Sequence, residues 1–458
     1  MYLINKGEPL TEGIIGKIIN NYMLTDLPKL VNWRNYYDGK QAILNKTPTD
    51  TGKPDNRIVV NYCYPIVNNY QGYIAGIPLS YTNESVDIDE VIDVLNYNDV
   101  EEEDSEYLRQ ALIYGKAFEI CYIDEEGQQR FRLLPTVECI PVYDADIEQT
   151  LRYVIRFYQD NIYTNEVGTT EQRYYVEVYS ESDVTVYKSA SGFSTFEFVS
   201  NTPHYYGQVP ITVFSLNKDE KSIFDKIIPL QDAYNTTISE SLNDYQSFAD
   251  AYMVIKGMTA DEDDLTKMKE HRVLLLDSDA DASYLTKTFS DTQTENILNK
   301  LDKKIHSIAN SPDFTDENFM AQAGVALRYK LVGFENTSSA IEQQMRKALT
   351  KRIELISAIL KLTDAEVIWA DIKITFTRNL PSDLTESVNV VTALQGIVSN
   401  ETLLGLLPFV QDPLAEMEKV RAQKEANMEL FDFNVSSNID KAEEEEEEAD
   451  DSEQEVLA

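Results

Sequence analysis

The chain has 458 residues, with 40 Lys and Arg against 79 Asp and Glu, and a formal charge of −39 at pH 7. It exceeds the length that one hydrophobic core serves, and 43% hydrophobic residues with 15 Pro and 17 Gly set it outside the disordered, collagen-like and low-complexity classes. The acidic excess argues against a protein that grips nucleic acid by neutralising phosphates over its whole surface.

Helical spacing of Ile14, Ile15, Ile18, Ile19, Tyr22 and Met23 predicts a helical N-terminal arm from about Glu12 to Tyr37, restarting at Leu27-Pro28. A turn-rich, polar stretch from Asp38 to Asn56 follows, and an apolar stretch from Arg57 closes a second helix at Gly76-Ile77-Pro78. From Ala117 to Phe214 the period changes to two. Ala117–Ile123, Arg152–Tyr158 and Tyr174–Tyr179 read as antiparallel strands rich in β-branched and aromatic residues. Many of the 28 Tyr lie there and read as one face of a half-buried sheet, because basic residues do not interleave with them as a base-stacking platform requires.

After Pro229, Leu230, Tyr234, Ile238, Leu242, Tyr245, Ala249 and Tyr252 form one apolar stripe, a rod of about 35 Å at 1.5 Å per residue. Gly257 breaks it. Val273–Leu276 and Ala282–Leu285 suggest short strands, and a second stripe, Ile297, Leu301, Ile305 and Ile308, stops at Ser311-Pro312. A capping box, Ser339-x-x-Glu342, signals a third, long helix carrying Ile341, Met345, Leu349, Ile353, Ile356 and Leu360. Beyond a strand at Ile372–Phe376, Pro381 opens a helical C-terminal section with start signals at Asp383-x-x-Glu386 and Asp412-Pro413. Six consecutive Glu, Glu443 to Glu448, repel one another and predict a disordered acidic tail. Residues 443–458 carry ten acids and no base, which leaves −29 on the rest. The fold class expected is α+β, mainly α, with long amphipathic helices and an antiparallel β region.

Cys63, Cys121 and Cys139 form no C-x-x-C pair and make a poor disulfide framework, which points to a reducing intracellular compartment. No export signal and no membrane-spanning run is expected from the sequence. No G-x-x-x-x-G-K-[ST] loop occurs, so a P-loop ATPase is excluded, and no G-x-S-x-G elbow supports a serine hydrolase. His204, His271 and His306 lack HExxH or His/Cys spacing, so no metal set is expected around them. Asp277-x-Asp279-x-Asp281 imitates the start of a calcium loop, but Ala282 stands where the turn glycine belongs and Thr288 where the bidentate Glu belongs. The contiguous acids Asp261 to Asp264 point in different directions around a helix and suit a two-metal nuclease poorly. An assembly component without a catalytic constellation or cofactor is the reading that remains.

Several stretches, in order along nearly the whole chain, carry a family resemblance. They are Trp33-Arg34-Asn35-Tyr36-Tyr37-Asp38-Gly39-Lys40, Asp55–Tyr62, Ile66–Pro78, His204–Pro210, Gln231–Asn235, Gly324–Leu331, Asn379-Leu380-Pro381 and Ser399–Leu404. Together they resemble the portal proteins of long-tailed phages of Gram-positive bacteria. The resemblance implies a portal fold with wing, stem, clip and crown. It implies a homo-oligomeric ring, usually of twelve subunits, at one capsid vertex in the virion, assembled in the host cytoplasm. Double-stranded DNA is packaged and ejected through such a ring, whose partners are the terminase large subunit, the head-tail adaptor, and the major capsid and scaffolding proteins. No membrane is involved.

Carried onto this sequence, the resemblance assigns 1–230 to a wing, 231–254 and 293–312 to two stem helices, and 255–292 to a clip. Residues 313–380 return to the wing, with a long helix at about 340–362, and 381–432 form a helical crown before the acidic tail, 433–458. A loop touching DNA in the channel would fall near 334–339, at Phe334, Glu335, Asn336, Thr337 and Ser338. Arg346, Lys347, Lys351 and Arg352 form the densest basic cluster and could either meet phosphates transiently or pair with neighbouring acids. Asp277, Asp279 and Asp281 would be partner-facing acids of the clip. Two alternatives stay open: a non-conducting capsid scaffold or adaptor, and a carboxylate-dependent metal hydrolase using acids between Asp261 and Asp281.

Overall fold

The computed structural model describes residues 1–47, 54–83, 86–163, 170–189, 192–193, 195–249, 253–256, 266, 281–284, 291–314, 324–363, 368–379, 384–407, 410 and 413–424. Two compact units divide the chain, Met1–Phe376 and a second beginning at Thr377.

The first unit begins with a short strand, β1 (Tyr2–Ile4), and two helices, α1 (Glu12–Thr25) and α2 (Leu27–Tyr37). In α1 the residues at helical spacing, Ile15, Ile19 and Tyr22, are those that become buried, and Pro28 sits in the first turn of α2, where no backbone N–H is needed. Then come α3 (Cys63–Ala75), β2 (Ser80–Thr82), α4 (Asp89–Tyr97) and α5 (Val100–Tyr114). The sequence reading named no element in the stretch that holds α4 and α5. Gly115 ends α5 in the left-handed region at φ +77, and a Cβ there would lie 2.3 Å from the Glu220 carbonyl oxygen, so only glycine fits.

The β region is antiparallel as expected, apart from β1. Strands β3 (Lys116–Ile123), β4 (Gln129–Leu134), β5 (Cys139–Asp144), β6 (Leu151–Tyr163), β7 (Thr170–Tyr179), β8 (Asp183–Ser189), β9 (Glu197–Pro203) and β10 (Ile211–Ser215) form two sheets. Six strands run in the order β1-β5-β6-β7-β8-β9, with β1 parallel to β5, and three in the order β10-β3-β4. Phe118, Cys139, Val154, Tyr179, Val209 and Ile211 form a core that draws on both sheets. All three cysteines are buried free thiols, which burial pushes above their usual range.

Two long helices follow, α6 (Ile228–Ala249) and α7 (Asp291–Ala309), with strands β11 (Met253–Lys256) and β12 (Asp281–Tyr284) paired antiparallel between them. The helix expected to run to Val254 is described as far as Ala249, Val254 lies in β11, and Tyr252 lies outside the described residues. The strand expected at 273–276 lies outside the described residues. α8 (Gly324–Leu360) is one continuous helix of 37 residues, and β13 (Lys373–Thr375) pairs antiparallel with β2.

The second unit holds α9 (Leu384–Leu394), α10 (Asn400–Gly405) and a helix at 413–424. Ser399 caps α10 by accepting from the Thr402 N–H at 3.3 Å. Residues 433–458 lie outside the described residues. The molecule is thus mixed α and β with more helix than strand, and among the described residues no helix is long and apolar enough to cross a membrane.

Candidate functional site

α6 is held along its length by an extended segment, residues 54–62. Its buried face is polar: Gln231, Asn235, Ser239 and Asn243, spaced four apart, are 0–8% exposed. Each accepts a backbone N–H from every second residue of the segment. Tyr62 donates to Gln231 Oε1 at 3.0 Å, Val60 to Asn235 Oδ1 at 2.9 Å, Ile58 to Ser239 Oγ at 3.0 Å and Asn56 to Asn243 Oδ1 at 2.7 Å. The two repeats match because two residues of extended chain advance about 6.6 Å and four residues of helix about 6.0 Å. The second groups of the amides are used as well: Gln231 Nε2 donates to Val60 O at 2.5 Å and Asn235 Nδ2 to Gln41 Oε1 at 2.5 Å. Backbone that would otherwise lie half-buried and unpaired is satisfied by a helix rather than by a sheet.

This ladder inverts the expected burial. An amphipathic helix ordinarily buries its apolar stripe, yet Leu230, Tyr234, Ile238 and Leu242 are only half-buried, and Tyr245 is 69% exposed. α7 packs against α6. Its Ile305 and Ala309 are buried, while Ile297 and Ile308 remain 49% and 43% exposed. Lys300, Lys303 and Lys304 are exposed on the side of α7 opposite Ile305 and Ala309, within an arc of about 100°. No carboxylate among the described residues pairs with these three lysines.

The residues expected in a channel loop are helical. Phe334, Glu335, Asn336, Thr337 and Ser338 lie in the first half of α8, not in a loop ahead of it, and Ser339-x-x-Glu342 is not a cap. The physical reason is tertiary. Phe334 is buried between the rings of Tyr70 and Tyr73, with centroids 4.6 and 4.7 Å away, and the Tyr73 hydroxyl donates to Glu335. Gly333, the residue best suited to breaking the helix, instead admits Asn310, whose Oδ1 would lie 3.1 Å from a Cβ there. Ser338 is buried and Asn336 exposed.

Three of the four expected phosphate-binding cations are engaged within the fold. Arg352 is fully buried and therefore unavailable to a phosphate: it donates to Glu119 through Nε at 2.7 Å and Nη2 at 2.6 Å, and to Asp104 through Nη1. Its guanidinium lies 4.4 Å from the Phe131 ring centroid. Arg346 donates to the Ile374 carbonyl and pairs with Glu342 at 3.4 Å, and Lys351 reaches Gln208 and, at 2.9 Å, Glu354. Lys347 alone of the four is exposed without a carboxylate partner among the described residues. Asp277 and Asp279 lie outside the described residues, and Asp281 opens β12 opposite Lys256.

Around Arg352 the electrostatics follow burial. Desolvation raises the Glu119 carboxyl above its usual range, with Arg352 opposing. Burial works against the Arg352 cation, but the Asp104 and Glu119 charges reverse this and hold it charged. The Tyr81 hydroxyl completes Asp104 at 2.6 Å. One further group went unread in the sequence: Asp302 and His306 of α7 meet Asp313, one ligand atom of each lying within 4.8 Å of the others. Asp302 and His306 are one helical turn apart, a spacing that was visible. Asp313 lies beyond the end of α7, and that it meets them was not visible.

A family model described as "Phage portal protein, SPP1 Gp6-like" matches residues 16–430. The chain is 27% identical over 424 residues to the portal protein of Clostridium phage phiCD119, covering 86% of this chain and 91% of that one. It is 23% identical over 441 residues to the portal protein of Bacillus phage SPP1, covering 92% of this chain and 84% of that one.

Proposed function

The chain belongs to the SPP1 Gp6-like family of phage portal proteins, and from that membership we propose that copies of it close into a ring, of twelve subunits in the virion, at one capsid vertex. The ring is a conduit rather than an enzyme. Terminase packages double-stranded DNA through it, DNA leaves by the same path, and the head-tail adaptor docks on it; capsid and scaffolding proteins surround it during assembly in the host cytoplasm. In this reading α6 and α7 are the stem, the chain between them the clip, the remainder of the first unit the wing, and the helices after Pro381 the crown.

The observation that supports it best is the inverted burial of α6. A helix that spends its buried face on a polar ladder and leaves its apolar stripe half-open, beside a second helix with exposed Ile297 and Ile308, has apolar surface for a neighbouring copy to cover. The free cations that such a stem offers to passing phosphates are Lys300, Lys303 and Lys304, set in a chain whose net charge otherwise repels DNA. Weak attraction against general repulsion suits a polymer that must slide.

Electron microscopy of the purified chain, classified by rotational symmetry, tests the reading. Closed rings with a hole wide enough for duplex DNA are expected; closed oligomers without a hole would move the assignment to a non-conducting scaffold or adaptor.

A further inference from the structure

α7 ends in a half-buried set of nitrogen and oxygen ligands, Asp302, His306 and Asp313. Two contacts from outside the set organise it. His306 Nδ1 lies 2.9 Å from the Ser311 carbonyl oxygen. A carbonyl only accepts, so Nδ1 carries the proton, and in the neutral ring Nε2 presents its lone pair. The carbonyl is itself fixed: Ser311 is 1% exposed, its N–H donates to the His306 carbonyl at 3.2 Å, and its hydroxyl accepts from Asn69 Nδ2 at 3.2 Å. Nε2 stands 3.8 Å from Asp302 Oδ1, too far for a hydrogen bond. Asp302 Oδ1 in turn accepts the Tyr62 hydroxyl at 2.8 Å, and the Tyr62 ring meets the imidazole edge-on at 5.7 Å. An imidazole held by a backbone carbonyl and a carboxylate held by a hydroxyl are the outer supports that metal ligands commonly have.

We propose that Asp302, His306 and Asp313 bind a divalent transition-metal ion of the Zn²⁺, Co²⁺ or Mn²⁺ class. One imidazole with two carboxylates suits these ions better than Mg²⁺ or Ca²⁺, which favour oxygen alone. Donors about 2.1 Å from such an ion in tetrahedral geometry stand about 3.4 Å apart, so a set spanning 4.8 Å closes on the ion by about 1.4 Å at its widest. Three protein ligands leave a further position for water. The bound ion ties the C-terminal end of α7 to the chain that leads to α8 and, through Tyr62, to the segment that holds α6. None of this depends on the portal reading.

The test is titration of the purified full-length chain with Co²⁺, followed by its visible d–d absorption. One saturable ion per chain is expected, displaced by Zn²⁺ and indifferent to excess Mg²⁺, with a higher thermal midpoint in its presence. His306→Gln should abolish the band, and Asp313→Asn, outside any helix, should lower affinity at least tenfold. Tyr62→Phe should lower it by about tenfold, as loss of an outer support does. No saturable band in the unsubstituted chain, or equal affinity in His306→Gln and Asp313→Asn chains with unchanged metal-free melting, overturns the proposal; the second result would place the ion at His204, His271 or a chance surface site.

Discussion

Arg352 illustrates how one residue can be recognised by type and misjudged by role. Its charge is satisfied by Glu119 and Asp104, 233 and 248 residues away in sequence, so the cluster that suggested phosphate binding supplies a buried ion triad. Removing the cation alone strands two carboxylates in the core. Arg352→Met is expected to cost about 3–5 kcal/mol in urea unfolding, and a loss within about 0.5 kcal/mol of zero would show that solvent reaches the group. Glu103, half-buried beside the triad, gives the opposite case. Burial and then the Glu119 charge raise its carboxyl above the usual range, and its Oε2 finds no hydrogen-bond partner. The folded chain therefore holds this proton more tightly than the unfolded one. The contribution to stability is full below the unfolded value near 4.5 and is lost as pH rises through the higher folded value. Gln imitates the protonated form, so Glu103→Gln should leave the melting temperature unchanged at pH 4 and raise it at pH 7. A lowered melting temperature at pH 7 would mean that the carboxylate has a favourable partner.

At the scale of elements, the ladder on α6 makes a sharper prediction than any apolar contact. Asn235→Leu fills the same space but leaves the Val60 N–H and one side of Gln41 unpaired, so it should cost about 1–3 kcal/mol. Ile238→Ala, on the half-open stripe, should cost less in the isolated chain; reversal of that order in paired denaturant melts would show that the stripe and not the ladder anchors α6. The ladder also marks where the sequence was legible. Breaks that rest on local chemistry were read in place: the α1–α2 restart at Pro28, and the end of α7 before Ser311-Pro312. Gln231, Asn235, Ser239 and Asn243 repeat every four residues as plainly as the apolar set does. Only the extended partner, whose N–H groups need acceptors, decides which stripe turns inward. The start of α8 was misplaced for a related reason. Gly333 and Ser339-x-x-Glu342 imitate a helix beginning, and the contacts that carry the helix through them come from Tyr70, Tyr73 and Asn310 on other elements. The set at Asp302, His306 and Asp313 was missed because one ligand lies beyond the end of α7, where helical spacing no longer says which residues meet.

For the whole molecule, the exposed apolar side chains and the lysines of the helix pair should yield separable defects. Tyr245, Ile297 and Ile308 are exposed in the single chain, so replacing any one by Ser should shift its own unfolding by no more than about 0.5 kcal/mol. Covered by a neighbouring copy, each contributes about 1.5–3 kcal/mol, and its loss lowers association at each interface by roughly 10- to 100-fold. The mass distribution should then move from rings to monomers. Lys300, Lys303 and Lys304 border the Ile297–Ile308 strip of α7 but touch no carboxylate among the described residues, so their joint replacement by Gln removes no ion pair and should leave ring formation intact. What should change is the passage of DNA, because each cation near the path replaces one counterion and thereby sets the dependence on salt. DNA packaging into heads built with the Gln variant should slow at low salt and lose part of its salt dependence, whereas adding Lys at further exposed stem positions should stall it. Rings that fail to form after the Lys replacements would place these side chains at the subunit contact, and packaging unchanged by either kind of variant would remove the stem surface from the DNA path.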